Sequence, residues 1–546
     1  MMRISRFVSV IGPAAVFGLL ALDRGGAAYG QPAGPAGSAG SSSAQDASAL
    51  KAWRKPFKER RRRIIFNNDG NEPIRSMTGP NAQELLDART SALVGTHVDT
   101  IFYCTAGPFG TFNHLTRLGQ VFTCKEPPYE TNRMDELIAA GLDPLEVMVE
   151  FCRKRRIEVF WSLRMNDVHD HGPSGYGPVR FRFNKLKTEH PEYLLGSPEK
   201  RSRYGAWSGV NYGRPEVRDL AFRYLEEVCQ RYDVDGVELD FFRHPVFFRA
   251  TLDGKPVGDD ERDQMTELLR RVRRMADERG RQRGRPILIA MRVPDSVAYA
   301  RAIGLDIEQW LTDDLLDLLV VGSYFQLNEW EYSVALGHRY GVPVYPSLDE
   351  SRVKDEAAAR MRSSLPAFRG RADRVWASGA DGIYMFNFFD PRDPLWKELG
   401  DPALLAGLDR DYFASVRGAV GANGGNLPFA GHQKIETLCP GSPKTLTPGG
   451  QATARLNAGR GFQGQGAAPV SLRLRLRFDP PPAPETVGVT INQRPLTVEP
   501  DQQGWLKGAL QPADVRAGLN DVRVTLAPAG RAGTRWQDAV IEARYE

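Results

Sequence analysis

The sequence predicts a (β/α)8 barrel followed by a small C-terminal antiparallel β-sandwich. Three observations predict it. Eight short apolar runs alternate with helical segments, one of those runs carries two acids one residue apart, and beyond about residue 422 the pattern changes to strict two-residue alternation.

The eight runs fall at 64–68, 99–104, 157–164, 235–241, 287–293, 317–325, 342–347 and 381–389. Several are apolar without alternation, as expected for parallel strands covered on both faces. Between them, the segment 215–232 puts Val217, Ala221, Tyr224, Leu225 and Val228 on one stripe and Arg218, Arg223 and Glu227 elsewhere. Pro215 suits a first helical position, and 264–276 and 356–365 read as similar helices. Strand, helix, strand, repeated eight times, predicts a closed barrel over 56–420. An open doubly wound sheet is the rival, but no GxGxxG follows the first strand.

After a linker containing Gly424, Gly425 and Pro428, the run SLRLRLRF sets Leu472, Leu474, Leu476 and Phe478 against Arg473, Arg475 and Arg477. A hairpin turn at 492–494 and further short strands predict a sandwich over 430–546 as an accessory domain.

At the other end, Arg3 and Arg6 precede an apolar run over 7–22 and then small residues to Gly30. That order predicts a secretory signal peptide over 1–30, hence a secreted or periplasmic protein with no stable membrane span after cleavage. Pro13 and the shortness of the run argue against an uncleaved anchor. Residues 31–55 read as a disordered linker, and the basic cluster 58–63 as its solvated end. The chain is 41% hydrophobic and 25% charged with a net charge of +5, and no basic stripe runs along it, which argues against a nucleic-acid partner. Of five cysteines, Cys104 and Cys124 are the most plausible disulfide pair, and Cys152 and Cys229 read as buried thiols.

The stretch DGVELDFFRHP (235–245) carries the chemistry. In a strand, Glu238, Asp240 and Phe242 share one face. Two acids on the inward face of a barrel strand are costly unless used. The longer run VNYGRPEVRDLAFRYLEEVCQRYDVDGVELDFFRHP (210–245) resembles the glycosyl-hydrolase-like 10 group of bacterial (β/α)8-barrel proteins. The strand is also similar to the DxxDxDxE signature of chitinase-type barrels: Asp235, Glu238 and Asp240 match its first three acids, but Phe242 stands where the proton donor would be. The resemblance implies a secreted glycoside hydrolase. The reading taken from it and the strand-end residues together is one acting on a polysaccharide or oligosaccharide by carboxylate acid/base chemistry with no organic cofactor.

Glycoside hydrolysis needs two carboxyl groups. Asp240 is the first choice, kept ionised by Arg243 or Arg292, with Glu238 one layer deeper as its support. Asp295 is the favoured second carboxyl, with Asp349, Glu350 and Asp390 as rivals. Strand ends supply a ring of substrate-binding candidates: Asn68, Asp69, Tyr103, Arg164, Asn166, Asp167, His169, Arg243, His244, Arg292, Tyr324, Tyr345 and Asn387. Trp161, Trp207, Trp330 and Trp396 are candidate sugar platforms. Arginines near the mouth, including Arg180 and Arg182, raise an acidic or sulfated glycan as the substrate.

His169 and His171 with Asp167 and Asp170 could suggest a metal, but no third ligand lies at a fixed spacing, and no metal site is assigned. Two other functions stay open. One is a non-catalytic glycan-binding or cell-envelope barrel protein; the other is a metal-dependent carbohydrate deacetylase or esterase using the His169 region.

Overall fold

The computed structural model describes residues 39–172, 177–179, 182–200, 202–322, 324–419, 430–463 and 468–545. The segment expected to be a signal peptide, Arg180 and the glycine-rich linker at 424–428 lie outside the described residues. The chain divides into two units, Met1–Ala49 and Leu50–Glu546. The second holds the barrel and the sandwich. Among the described residues, no helix is long and apolar enough to cross a membrane.

Eight parallel strands close into a barrel: β1 (Ile64–Asn68), β2 (Val98–Tyr103), β3 (Glu158–Arg164), β4 (Gly236–Asp240), β5 (Leu288–Val293), β6 (Leu318–Val321), β7 (Val344–Leu348) and β8 (Ile383–Met385). Each pairs with its neighbour in sequence, and β8 returns to β1. The expected runs and the observed strands coincide because both faces of each strand are buried, so the apolar signal is continuous.

Inside the barrel the side chains form layers. At the N-terminal end, Glu158 accepts hydrogen bonds from Arg62 at 2.6 and 2.7 Å and from the Thr100 hydroxyl at 2.8 Å. The middle layer holds Phe102 stacked on Phe160, with Ser162, Glu238 and Tyr384. The C-terminal layer aligns Arg164, Asp240 and Arg292 across β3, β4 and β5 in one register.

Two N-terminal expectations are corrected. Residues 39–58 form a helix, α1 (Ala39–Lys58), where a disordered linker over 31–55 was expected. The basic cluster at 58–63 is not a solvated end, since Lys58 and Arg62 are buried. The reason is charge pairing. Arg54 meets Asp277 and Asp317 at 2.9 and 3.0 Å, and Arg62 plugs the barrel floor through Glu158. Composition alone cannot see such partners.

The sandwich has two sheets over a separate core that includes Leu472, Leu474, Leu476, Val522 and Trp536. Its central strands are β10 (Ser471–Asp479) and β11 (Arg535–Arg544). Their neighbour β9 (Arg410–Phe413) comes from the stretch assigned by sequence to the barrel, and its pairing with β11 moves it into the sandwich sheet. Helix α2 (Leu365–Ala377) packs on β9 so closely that a Cβ on Gly370 would lie 2.3 Å from the Asp411 carbonyl oxygen. Arg362 adds a buried bidentate pair to Asp538 at 2.7 and 2.8 Å. All five cysteines are free thiols, so the Cys104–Cys124 disulfide does not form.

Candidate active site

A cleft of about 490 Å³, open to solvent, lies over the C-terminal mouth of the barrel. Its floor is built by the ends of β1, β3, β4 and β8, which bring Asp69, Arg164, Asp167, His169, Arg243 and Asn387 together. Each was singled out from sequence. Glu350, following β7, joins them as an exposed carboxylate on the wall. Asn387 holds a left-handed backbone (φ 54°), which turns the chain off β8 at the edge of the cleft.

The floor is an ion network. Arg164 bridges Asp167, at 3.1 Å, and Asp69. Burial would raise both carboxyls. The hydrogen bond from His169 and the charge of Arg164 hold Asp167 well below the usual range, and the charges of Arg164, Arg243 and Arg89 hold Asp69 down. Asp167 Oδ1 meets His169 Nδ1 at 2.7 Å, and His169 Nε2 meets Arg243 Nη2 at 2.8 Å. A guanidinium can only donate, so Nε2 accepts and Nδ1–H donates to Asp167. His169 is therefore the neutral Nδ1–H tautomer, locked between an acid and a cation.

Asp240 ends β4 in register with Arg164, is almost fully buried, and is not itself among the residues that line the cleft. Its Oδ1 accepts from Arg292 Nε at 2.9 Å and from the backbone N–H groups of Phe242 and Arg243 at 2.9 and 3.0 Å. Its Oδ2 accepts no hydrogen bond among the described residues. Arg292 also lies over the Phe386 ring, 3.9 Å from its centroid. One layer down, Glu238 accepts from Ser162 at 2.5 Å and from Tyr384 at 2.8 and 3.1 Å. Burial, and then the charge of Asp240, push its carboxyl up to about 7.

Several candidates lie elsewhere. Asp295 is buried, and its oxygens accept from the Leu327 and Asn328 backbone N–H groups at 2.9 Å, so it braces a loop and does not line the cleft. Burial pushes it up to about 6 in spite of those donors. Asp349 is fully buried against Arg417, and Asp390 is exposed away from the cleft lining. Asn166 spends its amide on the Val210 and Val246 carbonyls. Asn68 and Tyr103 are buried on Glu72. Tyr345 is at the opposite end of the barrel beside Arg62. His244 is only partly buried and takes the Val168 N–H on Nδ1 at 3.3 Å, while Tyr324 lies under Arg243, 5.0 Å from its guanidinium. All four candidate tryptophan platforms are buried core. For Asp295, Asp349 and Asp390 the cause is that position after a strand does not say which way a loop turns its side chain. Asn68, Tyr103, Tyr345 and Trp161 lie within strands, where buried neighbours claim them.

Other cleft residues escaped sequence reading. Arg89, Phe122, Tyr129 and Phe389 line it. Arg89 shares the buried face of its helix with Leu85 and Leu86 and lies over Phe389 at 4.1 Å. An arginine on an apolar helical stripe was the available signal.

Asp167, His169 and His244 each bring a possible ligand atom within 4.8 Å of the others. This replaces the His169–His171 pair, since His171 turns its Nδ1 to the Val168 carbonyl. Both ring nitrogens of His169 are already engaged, and the guanidinium on Nε2 would repel a cation, so the trio fits a metal poorly.

The fold and site together define a (β/α)8 barrel with a charged, open cleft at its C-terminal mouth. Residues 123–253 match the family model described as "Glycosyl hydrolase-like 10". Over 106 residues the chain is 31% identical to "Glycosyl hydrolase YngK" of Bacillus subtilis (strain 168), covering 19% of this chain and 19% of that protein. Over 211 residues it is 25% identical to an "S-layer-related protein" of Niallia circulans, covering 37% of this chain and 12% of that one. The chain thus spans under a fifth of the length of either curated relative. Among solved structures, similarity is found to alpha-L-fucosidase isoenzyme 2 from Paenibacillus thiaminolyticus (TM-score 0.40, 16% identity, 63% of this chain and 49% of that chain). The maltogenic alpha-amylase AmyB from Thermotoga neapolitana is also similar (TM-score 0.36, 11% identity, 86% of this chain and 99% of that chain).

Proposed function

We propose that this protein is an exported glycoside hydrolase that cleaves glycosidic bonds of a polysaccharide or oligosaccharide in the cleft above Asp240. The observation that carries the reading is the asymmetry of that carboxylate. Three donors hold Oδ1, while Oδ2 accepts no hydrogen bond among the described residues and is the oxygen we assign to substrate. The partial match to the glycosyl-hydrolase-like 10 model spans β4 and supports the same assignment. Export rests on the basic, apolar and small-residue order of the first 30 residues.

Of the carboxyls after later strands, Glu350 is the one on the cleft wall, and it replaces Asp295 and Asp349 as the proposed proton donor. The junction to the sandwich braces its loop. Arg417 donates to the Glu350 carbonyl at 3.0 Å, and Ser351 donates to the Val416 carbonyl at 3.0 Å. In this reading the sandwich is an accessory domain that holds the β7 loop in place.

Two variants test the roles on aryl glycosides and unactivated oligosaccharides. Asp240→Asn should lose about 10³-fold or more in turnover on both substrate types. Glu350→Gln should lose as much on oligosaccharides but little on aryl glycosides, whose leaving groups need no proton. Undiminished turnover in a folded Asp240→Asn protein would refute the reading.

A further inference from the structure

The cleft holds more positive charge than its own acids can neutralise. Its described lining carries five arginines, Arg75, Arg89, Arg164, Arg182 and Arg243, against the carboxylates of Asp69, Asp167 and Glu350. Two of those carboxylates are already committed to Arg164. Among the described residues, Arg89, Arg182 and Arg243 have no carboxylate within ion-pair distance. Arg182 donates to the Tyr129 hydroxyl and, at 3.3 Å, to the His169 carbonyl, and Arg89 lies on Phe389. Their direct partners are neutral acceptors and rings, Arg89 also donating to Asn68 Oδ1 at 3.4 Å, and the one carboxylate of Asp69 is shared among Arg164, Arg243 and Arg89.

Arg243 is the most telling of the three. It is partly buried at the centre of the floor, one Nη is fixed by the neutral imidazole of His169, and its Nε is buried without a partner. The Tyr324 ring supports its guanidinium at 5.0 Å. A half-buried guanidinium that is held in place and unpaired costs stability unless an anion completes it. Arginine recognises carboxylate and sulfate groups through paired, charge-assisted hydrogen bonds.

We infer that Arg243 binds an anionic substituent, a carboxylate or sulfate, on a sugar unit of the substrate, with Arg182 and Arg89 favouring further anionic units along the cleft. The inference rests on reading the cleft as a glycan site, and it does not depend on turnover.

Binding is measured by titration calorimetry on the full chain carrying Asp240→Asn. The probes are oligogalacturonate and a glucuronate-containing oligosaccharide, each beside its carboxyl methyl ester, and a sulfated galactan oligomer beside its desulfated form. At least one acidic form should bind roughly tenfold or more tighter than its neutral counterpart. Adding Arg243→Met should bring that ratio close to one. Equal binding of acidic and neutral forms, no binding of any acidic form at millimolar concentration, or a ratio unchanged by Arg243→Met would overturn the inference. If Arg243→Met does not fold, the ratio in the parent protein decides by itself. Discrimination by a protein that turns over no glycan would refute hydrolysis and retain this inference. Turnover confined to neutral glycans would do the reverse.

Discussion

Two strands of this molecule carry charged residues at every second position, and they use them in opposite ways. On β10 of the sandwich, Arg473, Arg475 and Arg477 share the face away from the leucine core, Arg475 buried over Trp505 and the other two half-buried, while Leu472, Leu474 and Leu476 fill the core. Each arginine has an acid beside it: Arg473 meets Glu542 at 2.8 Å, Arg475 meets Asp501 at 2.6 Å, and Arg477 reaches Asp355 at 3.4 Å. On β4 of the barrel, Glu238 and Asp240 are buried inside the barrel, where Arg292 is their direct ion-pair partner and Arg164 stands beside Asp240 in register. Alternation of charge thus has no fixed meaning. Where each arginine has its own acid the pattern is a paired face; inside the closed barrel two acids share one direct arginine partner, and desolvation raises the cost of every unpaired group.

That contrast can be broken most strongly at the buried junction. Arg362→Met removes the partner of Asp538, and both side chains are fully buried. The loss should be about 3–5 kcal/mol in urea unfolding. Gly370→Ala drives a Cβ against the Asp411 carbonyl and should cost about 1–3 kcal/mol in the same measurement.

A finer test uses pH. In the folded protein Glu238 titrates at about 7 rather than near 4.5, because it is buried and lies beside Asp240. Between those values the folded state keeps a proton that the unfolded state has lost. This group therefore weakens stability as pH rises through the window. Glu238→Gln should flatten the stability profile between pH 5 and 8, by an amount on the order of 1–2 kcal/mol. An unchanged slope would place the titration on another group. The smallest effect belongs to β10, where Arg473→Met, partly exposed, should change stability by less than about 1 kcal/mol.

How far the sequence could be read follows the same physics. The apolar runs located the barrel strands to within a few residues, because burial on both faces leaves a continuous signal. Asp69, Arg164, Asp167, His169 and Arg243 were visible as polar residues just past strand ends, where any barrel gathers its loops. Asp295 and Asp349 satisfied the same rule and failed it. The backbone N–H groups that claim Asp295 and the arginine that claims Asp349 lie about thirty and seventy residues further along the chain. Arg62 and Arg54 were invisible as core residues for a similar reason. Their partners Glu158, Asp277 and Asp317 become neighbours only when the barrel closes.

By itself, the sequence determined the barrel, the sandwich and the inward placement of Asp240, since hydrophobic period and strand alternation are local properties of the chain. Only the tertiary structure decided which acids stay free, which arginines stay unpaired and which aromatic rings meet the cleft. Those outcomes depend on distances between residues far apart in sequence, and charge pairing and desolvation act through distance alone.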